Sequence, residues 1–310
     1  MNETLSVFVI VVTHNGADTI FDCLKSVEDS KFPLQTIVVE NASTDNTPTI
    51  ISQFQNVIYL AQAVNLGFGR ANNVGMKYAM EHGADFVFLL NQDAIIRPET
   101  LEVLVNYAAA HPDFGILSPL HLDGDGVEID SKVVMYLTKN RTDFLSDLYF
   151  RKMNEIYEVS FINAAAWLIS KECVHKVGGF DDLFFMYGED DDYCHRAQMH
   201  GFRIGVLPGS TIIHKRTGRK PTGKIWENLK LQASYNASLI KARLKKDPKS
   251  FLLSVILWRI DHFAAKMTLL FKGHFDDLVV LIMAGTIVLV NLPKIWSHKM
   301  QSMKSKAFWK

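Results

Sequence analysis

Over roughly its first 120 residues the chain repeats one unit, an apolar run, a polar segment and then a helical stripe. Val7–Val12 (VFVIVV) has no polar face, as a strand buried on both sides requires. Ala17–Glu28 follows with Ile20, Leu24 and Val27 on one stripe, which predicts a helix. Thr36–Val39 reads as a second strand. A helix capped by Ser43 or Thr44 runs from there to Phe54, with Pro48 in its first turn. Asn56–Leu60 is a weak third strand, Phe68–His82 a helix, Asp85–Leu90 a fourth buried strand, and Pro98–Ala110 a helix before Phe114–Leu117. Alternation this regular predicts an α/β fold around a largely parallel sheet. Such sheets bind ligands beyond the carboxyl ends of their strands. The segments in that position are Thr13–Gly16, Glu40–Asp45, Val64–Asn73 and Asn91–Asp93, all rich in Asn, Asp or Gly. Together they predict one polar cleft.

Further along, Asp123–Val159 has no clean period and reads as an insertion. Order returns at Phe161–Ser170. The Gly178-Gly179 turn and the acid-rich Gly188–Asp192 come next, then a helix from about Glu189 to His200 and short strands at Arg203–Val206 and Ser210–His214. Beyond Lys215 the character changes. Lys224–Lys245 is a basic helical stretch broken by Pro248, and Phe251–Leu270 and Asp277–Leu292 are strongly apolar. This predicts one α/β domain over 1–220, dividing near residue 120, and a helical appendage over 221–310.

Composition excludes several classes. The 33 basic and 33 acidic side chains balance, so no nucleic-acid partner is expected. Three cysteines, widely spaced and without a CxxC pair, argue against a disulfide framework or a zinc knuckle and fit a reducing compartment. Val7–Val12 is too short for a secretory leader, which predicts a cytoplasmic protein. There is no G-x-G-x-x-G, Walker, G-x-S-x-G or H-E-x-x-H pattern.

Four constellations remain. Asp93 in Asn91-Gln92-Asp93 could hold Mg²⁺ or Mn²⁺ shared with a phosphate, or merely cap the turn toward Pro98. Glu189-Asp190-Asp191-Asp192 exceeds what helix capping needs. Crowded carboxylates raise one another's pKa, and one kept near neutrality makes a general base. His214, ahead of the basic loop Lys215–Lys220, suits a metal ligand or a diphosphate contact, against the plain alternative of a surface turn. In Asn65–Asn73 (NLGFGRANN), Gly67 and Gly69 let backbone approach a ligand, and Arg70 offers a planar cation.

Taken together, VVTHNG, VVENASTDNT, NLGFGRANN, FLLNQDA, VGGFDDLFFMYGEDDDYCHR and the strand ending in His214 resemble the family-2 glycosyltransferases of GT-A fold, more narrowly their rhamnosyltransferase-like branch. The resemblance covers roughly Leu5–Arg216 and implies that 1–220 is the glycosyltransferase domain, with a nucleotide-binding half over about 1–120 and an acceptor half over about 121–220. It implies inverting transfer from a nucleoside-diphosphate sugar, dTDP- or UDP-linked, assisted by a divalent metal. It also implies residue roles. Thr13, Glu40 and Arg70 would surround the base, ribose and phosphates, with Asn15, Asn65, Gly67, Asn73 and Gln92 at further donor-site positions. Asn91 and Asp93 match the D-x-D metal motif, His214 a metal-ligand histidine, and Asp190, paired with Glu189, the catalytic base. Two departures stand out: Glu40 replaces the usual aspartate, and Asn91 removes one negative charge from the metal motif. The implied acceptor is a glycan or lipid-linked hydroxyl in cell-envelope polysaccharide synthesis. The competing classes are a sugar-1-phosphate nucleotidyltransferase, which needs a basic loop after the first strand where Thr13–Gly16 has no cation, and a non-catalytic sugar-nucleotide-binding protein.

The tail has two readings. Asn291–Lys310 carries five lysines and no acid, interleaved with Trp296, Phe308 and Trp309, which suits an anionic cytoplasmic leaflet. The other reading is a packing element or a homo-oligomer interface. Under the first, its removal spares the donor-site chemistry.

Overall fold

The computed structural model describes residues 5–139, 143–215, 263, 267–268, 270–271 and 275–308. Four parallel strands open the fold: β1 (Val7–Thr13), β2 (Gln35–Glu40), β3 (Val57–Ala61) and β4 (Phe86–Asn91). They lie in the order β3-β2-β1-β4, with Val12 level with Val39 and Asn91. Their carboxyl ends therefore share one edge. Helices α1 (Ile20–Glu28), α2 (Thr47–Ile51), α3 (Phe68–Glu81) and α4 (Thr100–Ala110) connect or flank them. Side chains alternate across β1: Val7, Val9 and Val11 join the core under α1 and α4, while Phe8 and Ile10 join the core under α3. The α3 backbone comes close to β1 at Gly75, where an added Cβ would lie 2.5 Å from Ile10 Cγ2.

The sheet continues as β8 (Ala166–Ser170), β6 (Phe114–Leu122), β9 (Arg203–His214) and β5 (Ala94–Ile96). β8 runs antiparallel to β4 and β6, and β6 is parallel to β9. The two short strands expected at Arg203–Val206 and Ser210–His214 are one strand, irregular where Pro119 and Leu120 of β6 pair with Leu207 and Thr211. Strand β5 has no counterpart in the sequence reading. Three residues are too few to show a period, and pairing with β9 places them. It matters because it sets Ala94 beside His214.

The described residues of the insertion form regular elements. Asp130 caps α5 (Ser131–Thr138) by accepting from Lys132 N at 2.8 Å, and α6 (Asp143–Phe150) follows. The short strand β7 (Tyr157–Glu158) pairs with β9. Helices α7 (Lys171–Val177) and α8 (Glu189–Met199) complete the domain. The loop Arg216–Lys220, the basic stretch Lys224–Lys245, and Trp309 and Lys310 lie outside the described residues, as does Phe251–Leu270 apart from 263, 267–268 and 270.

The tail forms α9 (Phe275–Val290) and α10 (Leu292–Ser302). Among the described residues no single helix is long and apolar enough to cross a membrane, although Leu281–Val290 and Leu292–Ser302 pass that test as a pair bent by 66°. Of the two readings of this segment, the packing element describes the part that meets the catalytic domain. Lys299 is fully buried, and Ile295, Ala307 and Phe308 are buried with it. His298 Nδ1 donates to Asp181 at 2.6 Å, Gly179 N donates to Ala307 O at 2.9 Å, and Phe308 lies under the Arg196 guanidinium at 5.0 Å. The strap fits so closely that a Cβ on Gly178 would lie 1.8 Å from Ala307 O. Deleting Lys294–Lys310 therefore removes partners of the acid-rich segment, and loss of activity is the expected result even on a soluble acceptor.

Candidate active site

Where the strand ends converge there is a cleft of about 800 Å³. Asn65, Gly67, Asn91, Gln92, Asp93, Glu189, Asp190 and His214 line it, so eight of the residues singled out from the sequence meet. Gln92 ties two strand ends together: its Oε1 accepts from Thr13 Oγ1 at 2.6 Å and from His14 N at 2.9 Å. Asn41 ties the next pair. Its Nδ2 donates to Asn65 Oδ1 at 2.9 Å and its Oδ1 accepts from Leu66 N at 2.8 Å.

Five expected donor-site residues do not line the cleft. Thr13 is fully buried behind Gln92, and Glu40 Oε1 accepts from Ser43 N at 2.7 Å. Asn15 Oδ1 accepts from Thr44 N at 2.8 Å. Asn73 bonds the Phe180 backbone from both ends of its amide, at 2.8 and 2.7 Å. Arg70 donates to the Asp182 carbonyl at 2.7 Å. Each shapes the loops around the cavity instead of facing into it.

Asp93 and His214 are brought together by the β5–β9 pairing, with Nε2 to Oδ1 at 3.4 Å. Lys215 N fixes the Asp93 backbone at 2.8 Å. Nearby, Asn91 Oδ1 and His214 Nδ1 are buried without a hydrogen-bond partner. A carboxylate, an imidazole and an unsatisfied amide oxygen facing one cleft suit a small hard cation that shares phosphate oxygens. A second group, Asp181, Asp182 and His298, has its ligand atoms within 4.8 Å of one another but lies outside the cleft lining. Asp181 Oδ1 already accepts from His298 Nδ1 and from Leu183 N at 2.9 Å, which makes it a joint in the strap.

The four acids at the start of α8 divide by environment. Asp192 is fully buried against Arg196, 2.8 Å away, and Arg196 also donates to the carbonyls of Val177 and Gly179 at 2.9 Å. Burial, with the Asp190 charge adding to it, pushes Glu189 up to about 8, and burial pushes Asp190 up to about 6. A helix N-terminus favours ionised carboxylates by up to about 1 kcal/mol. The rise at Glu189 corresponds to several kcal/mol, so desolvation wins. Glu189 Oε2 is buried with no partner. The site thus offers a carboxyl held protonated near neutrality beside one that ionises near 6.

The loop carrying these acids is clamped to α3. Gly67 has φ +80°, and a Cβ there would lie 2.1 Å from Phe185 O, which accepts from Phe68 N at 3.1 Å. Gly67→Ala should cost about 1–3 kcal/mol from the strained conformation, with further loss from the contact. A melting temperature equal to wild type would contradict this.

The sequence reading gave no role to Lys132, Tyr136, Phe161, Asn163, Met186 and Tyr187, all in the lining, whereas His14 and Asn41 fall in the strand-end segments expected to form the cleft. The signal for α5 was present: Asp130 as cap, then Val133 and Leu137 one turn apart, both fully buried.

The model of Glycosyl transferase family 2 matches residues 8–178, more than half of the chain. The chain belongs to glycosyltransferase family 2. A second model, N-terminal domain of galactosyltransferase, matches 148–219. The chain is 26% identical over 243 residues to the N-acetylglucosaminyl-diphospho-decaprenol L-rhamnosyltransferase of Mycobacterium tuberculosis, covering 70% of this chain and 79% of that protein. It is 25% identical to rhamnosyltransferase WbbL of Escherichia coli K12, covering 67% and 83%. These relatives put this glycosyltransferase in the rhamnosyltransferase-like branch. Solved structures support the GT-A fold. The mannosyltransferase PcManGT of Pyrobaculum calidifontis, in complex with GDP-Man and Mn²⁺, superposes with TM-score 0.57 at 18% identity, over 93% of this chain and 75% of that one. S. aureus TarS 1-349 in complex with UDP gives 0.53 at 19% identity, over 76% of this chain and 65% of that one.

Proposed function

We propose that this glycosyltransferase moves a sugar, rhamnose being favoured, from a dTDP- or UDP-linked donor to a hydroxyl of a glycan or lipid-linked acceptor in cell-envelope polysaccharide synthesis, inverting the anomeric centre. The observation that carries the reading is the convergence in one cleft of the Glu189–Asp190 pair with the Asp93–His214 pair. The rhamnosyltransferase relatives support the choice of sugar and acceptor.

The chain's own groups divide the work. Asp190 takes the proton of the acceptor hydroxyl as that oxygen attacks the anomeric carbon on the face opposite the diphosphate. Glu189, protonated near neutrality, limits the negative charge beside Asp190 and so keeps its carboxylate available. Gln92 and Asn41 hold the strand ends in register, so donor and acceptor meet already oriented. Asp93 and His214, with Asn91 as a neutral neighbour, would hold Mg²⁺ or Mn²⁺, which when bound stabilises charge on the leaving diphosphate. The nucleotidyltransferase alternative lacks its activating cation, since Thr13–Gly16 has no Lys or Arg, and this loop is held by Gln92, Ser43 and Thr47.

Incubating the purified protein with a panel of nucleotide sugars tests the reading. Release of nucleoside diphosphate is expected, whereas release of pyrophosphate, or of nothing across the panel, would overturn it. Donor binding should stabilise the fold by about 2.7 kcal/mol at a hundred times Kd. With Mn²⁺ present, Asp93→Ala should weaken donor binding in the same thermal-shift measurement, and Asn91→Asp should hold the metal at least as well. Unchanged donor affinity in excess EDTA would remove the metal from the mechanism.

A further inference from the structure

The α5–α6 pair has one face inside the transfer cleft and another that is exposed and has no apolar partner among the described residues. Lys132 and Tyr136 of α5 line the cleft, with Tyr136 set edge-on to Phe161 at 4.9 Å between centroids. α6 is anchored from one side: Phe144 is fully buried and meets Tyr157 edge-on at 5.1 Å. Its other side shows Leu145, Leu148, Tyr149 and Phe150, with Tyr149 81% and Phe150 66% exposed. Leu145, Leu148 and Tyr149, at i, i+3 and i+4, form one stripe. Contiguous apolar surface of this kind marks a contact face, unlike apolar residues scattered singly.

The charge around the stripe selects its partner. Arg151 and Lys152 follow directly, and neither they nor Lys132 has an ion pair among the described residues. Of the two acids on α6, Asp143 stands at the N-terminal end, away from Arg151 and Lys152, and Asp147 accepts from Tyr157 Oη at 2.6 Å and Asn154 Nδ2 at 2.8 Å. Aromatic and aliphatic side chains bordered by cations are the composition that sinks into the headgroup boundary of an anionic bilayer. The same hairpin reaches the cleft.

We infer that the α5–α6 hairpin seats this enzyme on an anionic lipid surface through Leu145, Leu148, Tyr149 and Phe150, and leads a lipid-anchored acceptor past Lys132 and Tyr136 to the transfer site. The acceptor part of this inference rests on the transferase reading, whereas the lipid contact does not.

The test is sedimentation of the full chain with vesicles of phosphatidylcholine alone and with an equal mixture of phosphatidylcholine and phosphatidylglycerol. Wild type should sediment with the mixed vesicles only, and salt should release it. Tyr149→Asp/Phe150→Asp and, separately, Arg151→Glu/Lys152→Glu should each lower binding about tenfold or more, because charge is placed where apolar area or attraction was lost. Nucleoside diphosphate release from the donor, into water or a short soluble acceptor, should remain at the wild-type rate. Should the aspartate pair fail to fold, Tyr149→Ser at the most exposed position must still show partial loss. Wild type left in the supernatant would overturn the inference. So would variants that sediment like wild type, which would move the contact to another surface such as the bent α9–α10 pair. A wild-type dimer made monomeric by Tyr149→Asp/Phe150→Asp, without vesicle binding, would overturn it in favour of a second copy. Failure of the transferase reading has a different signature, no nucleoside diphosphate from any donor with vesicle binding intact.

Discussion

Asp190→Asn should turn over about 10²–10⁴-fold more slowly than wild type, the usual worth of a general base, while binding donor almost unchanged. Asparagine keeps the shape and the acceptor oxygen that receives Asp191 N at 2.9 Å, so the start of α8 should stay folded. What it loses is the capacity to take a proton in the transition state. The pH profile provides an independent check. Burial raises Asp190 to about 6, so wild-type turnover should fall as pH drops below about 6 and the base becomes protonated. Asp190→Asn should lose that limb. The effect on stability has the opposite sense. Both carboxyls titrate above their ordinary range, so the folded state binds more protons than the unfolded chain. Their contribution is fully present at acid pH and is lost as pH rises through about 6 and then about 8. Near-normal turnover in Asp190→Asn would transfer the role to Asp191 or Glu189.

Arg196→Ala should be among the most damaging single changes in the chain, at about 3–5 kcal/mol, because it strands a buried carboxylate. Asp192 and Arg196 are 2% and 1% exposed, so water cannot take over from the missing partner. The guanidinium also satisfies the carbonyls of Val177 and Gly179 and packs between Tyr193 and Phe308. Replacing both members, Asp192→Leu with Arg196→Met, should cost less than Arg196→Ala, since no charge is then left buried. Urea denaturation of the three proteins measures this, and a shift for Arg196→Ala below about 0.5 kcal/mol, the range of ordinary surface changes, would show the ion pair to be incidental.

These two acids show what sequence reasoning reaches. Glu189-Asp190-Asp191-Asp192 was visible as a cluster, and helical geometry required its members to face different ways. Which one meets the cleft and which one meets Arg196 depends on packing that the pattern does not encode. The Asp192–Arg196 spacing of four residues was a usable sign of the pair. The parallel half of the sheet was legible because VFVIVV and DFVFLL have no polar face and each is followed by polar residues. The second half was harder to read. β5 has three residues, α6 lies beyond an aperiodic stretch, and β9 is irregular opposite Pro119 and Leu120. The cleft was located from the strand ends, yet Thr13, Glu40 and Arg70 bond neighbouring backbone or Gln92 instead of facing it, a distinction of side-chain direction. Of the two readings of the tail, the packing element accounts for Lys299 and Phe308, which tertiary contacts bury although the composition around them also suits a lipid surface.

The strap over Gly178 and Arg196 also bears on when the enzyme becomes active. Phe308 and Ala307 lie roughly a hundred residues beyond the segment they close on. At a synthesis rate of about 5–20 residues per second, that segment leaves the ribosome roughly 5–20 s before its cover does. In that interval the nucleotide half already has every strand it needs, whereas Asp181 still lacks His298 and the Arg196 ring of contacts stands open. Donor binding should therefore mature ahead of transfer on a nascent chain, and any insertion between Ser302 and Phe308 should act at a distance as an active-site mutation.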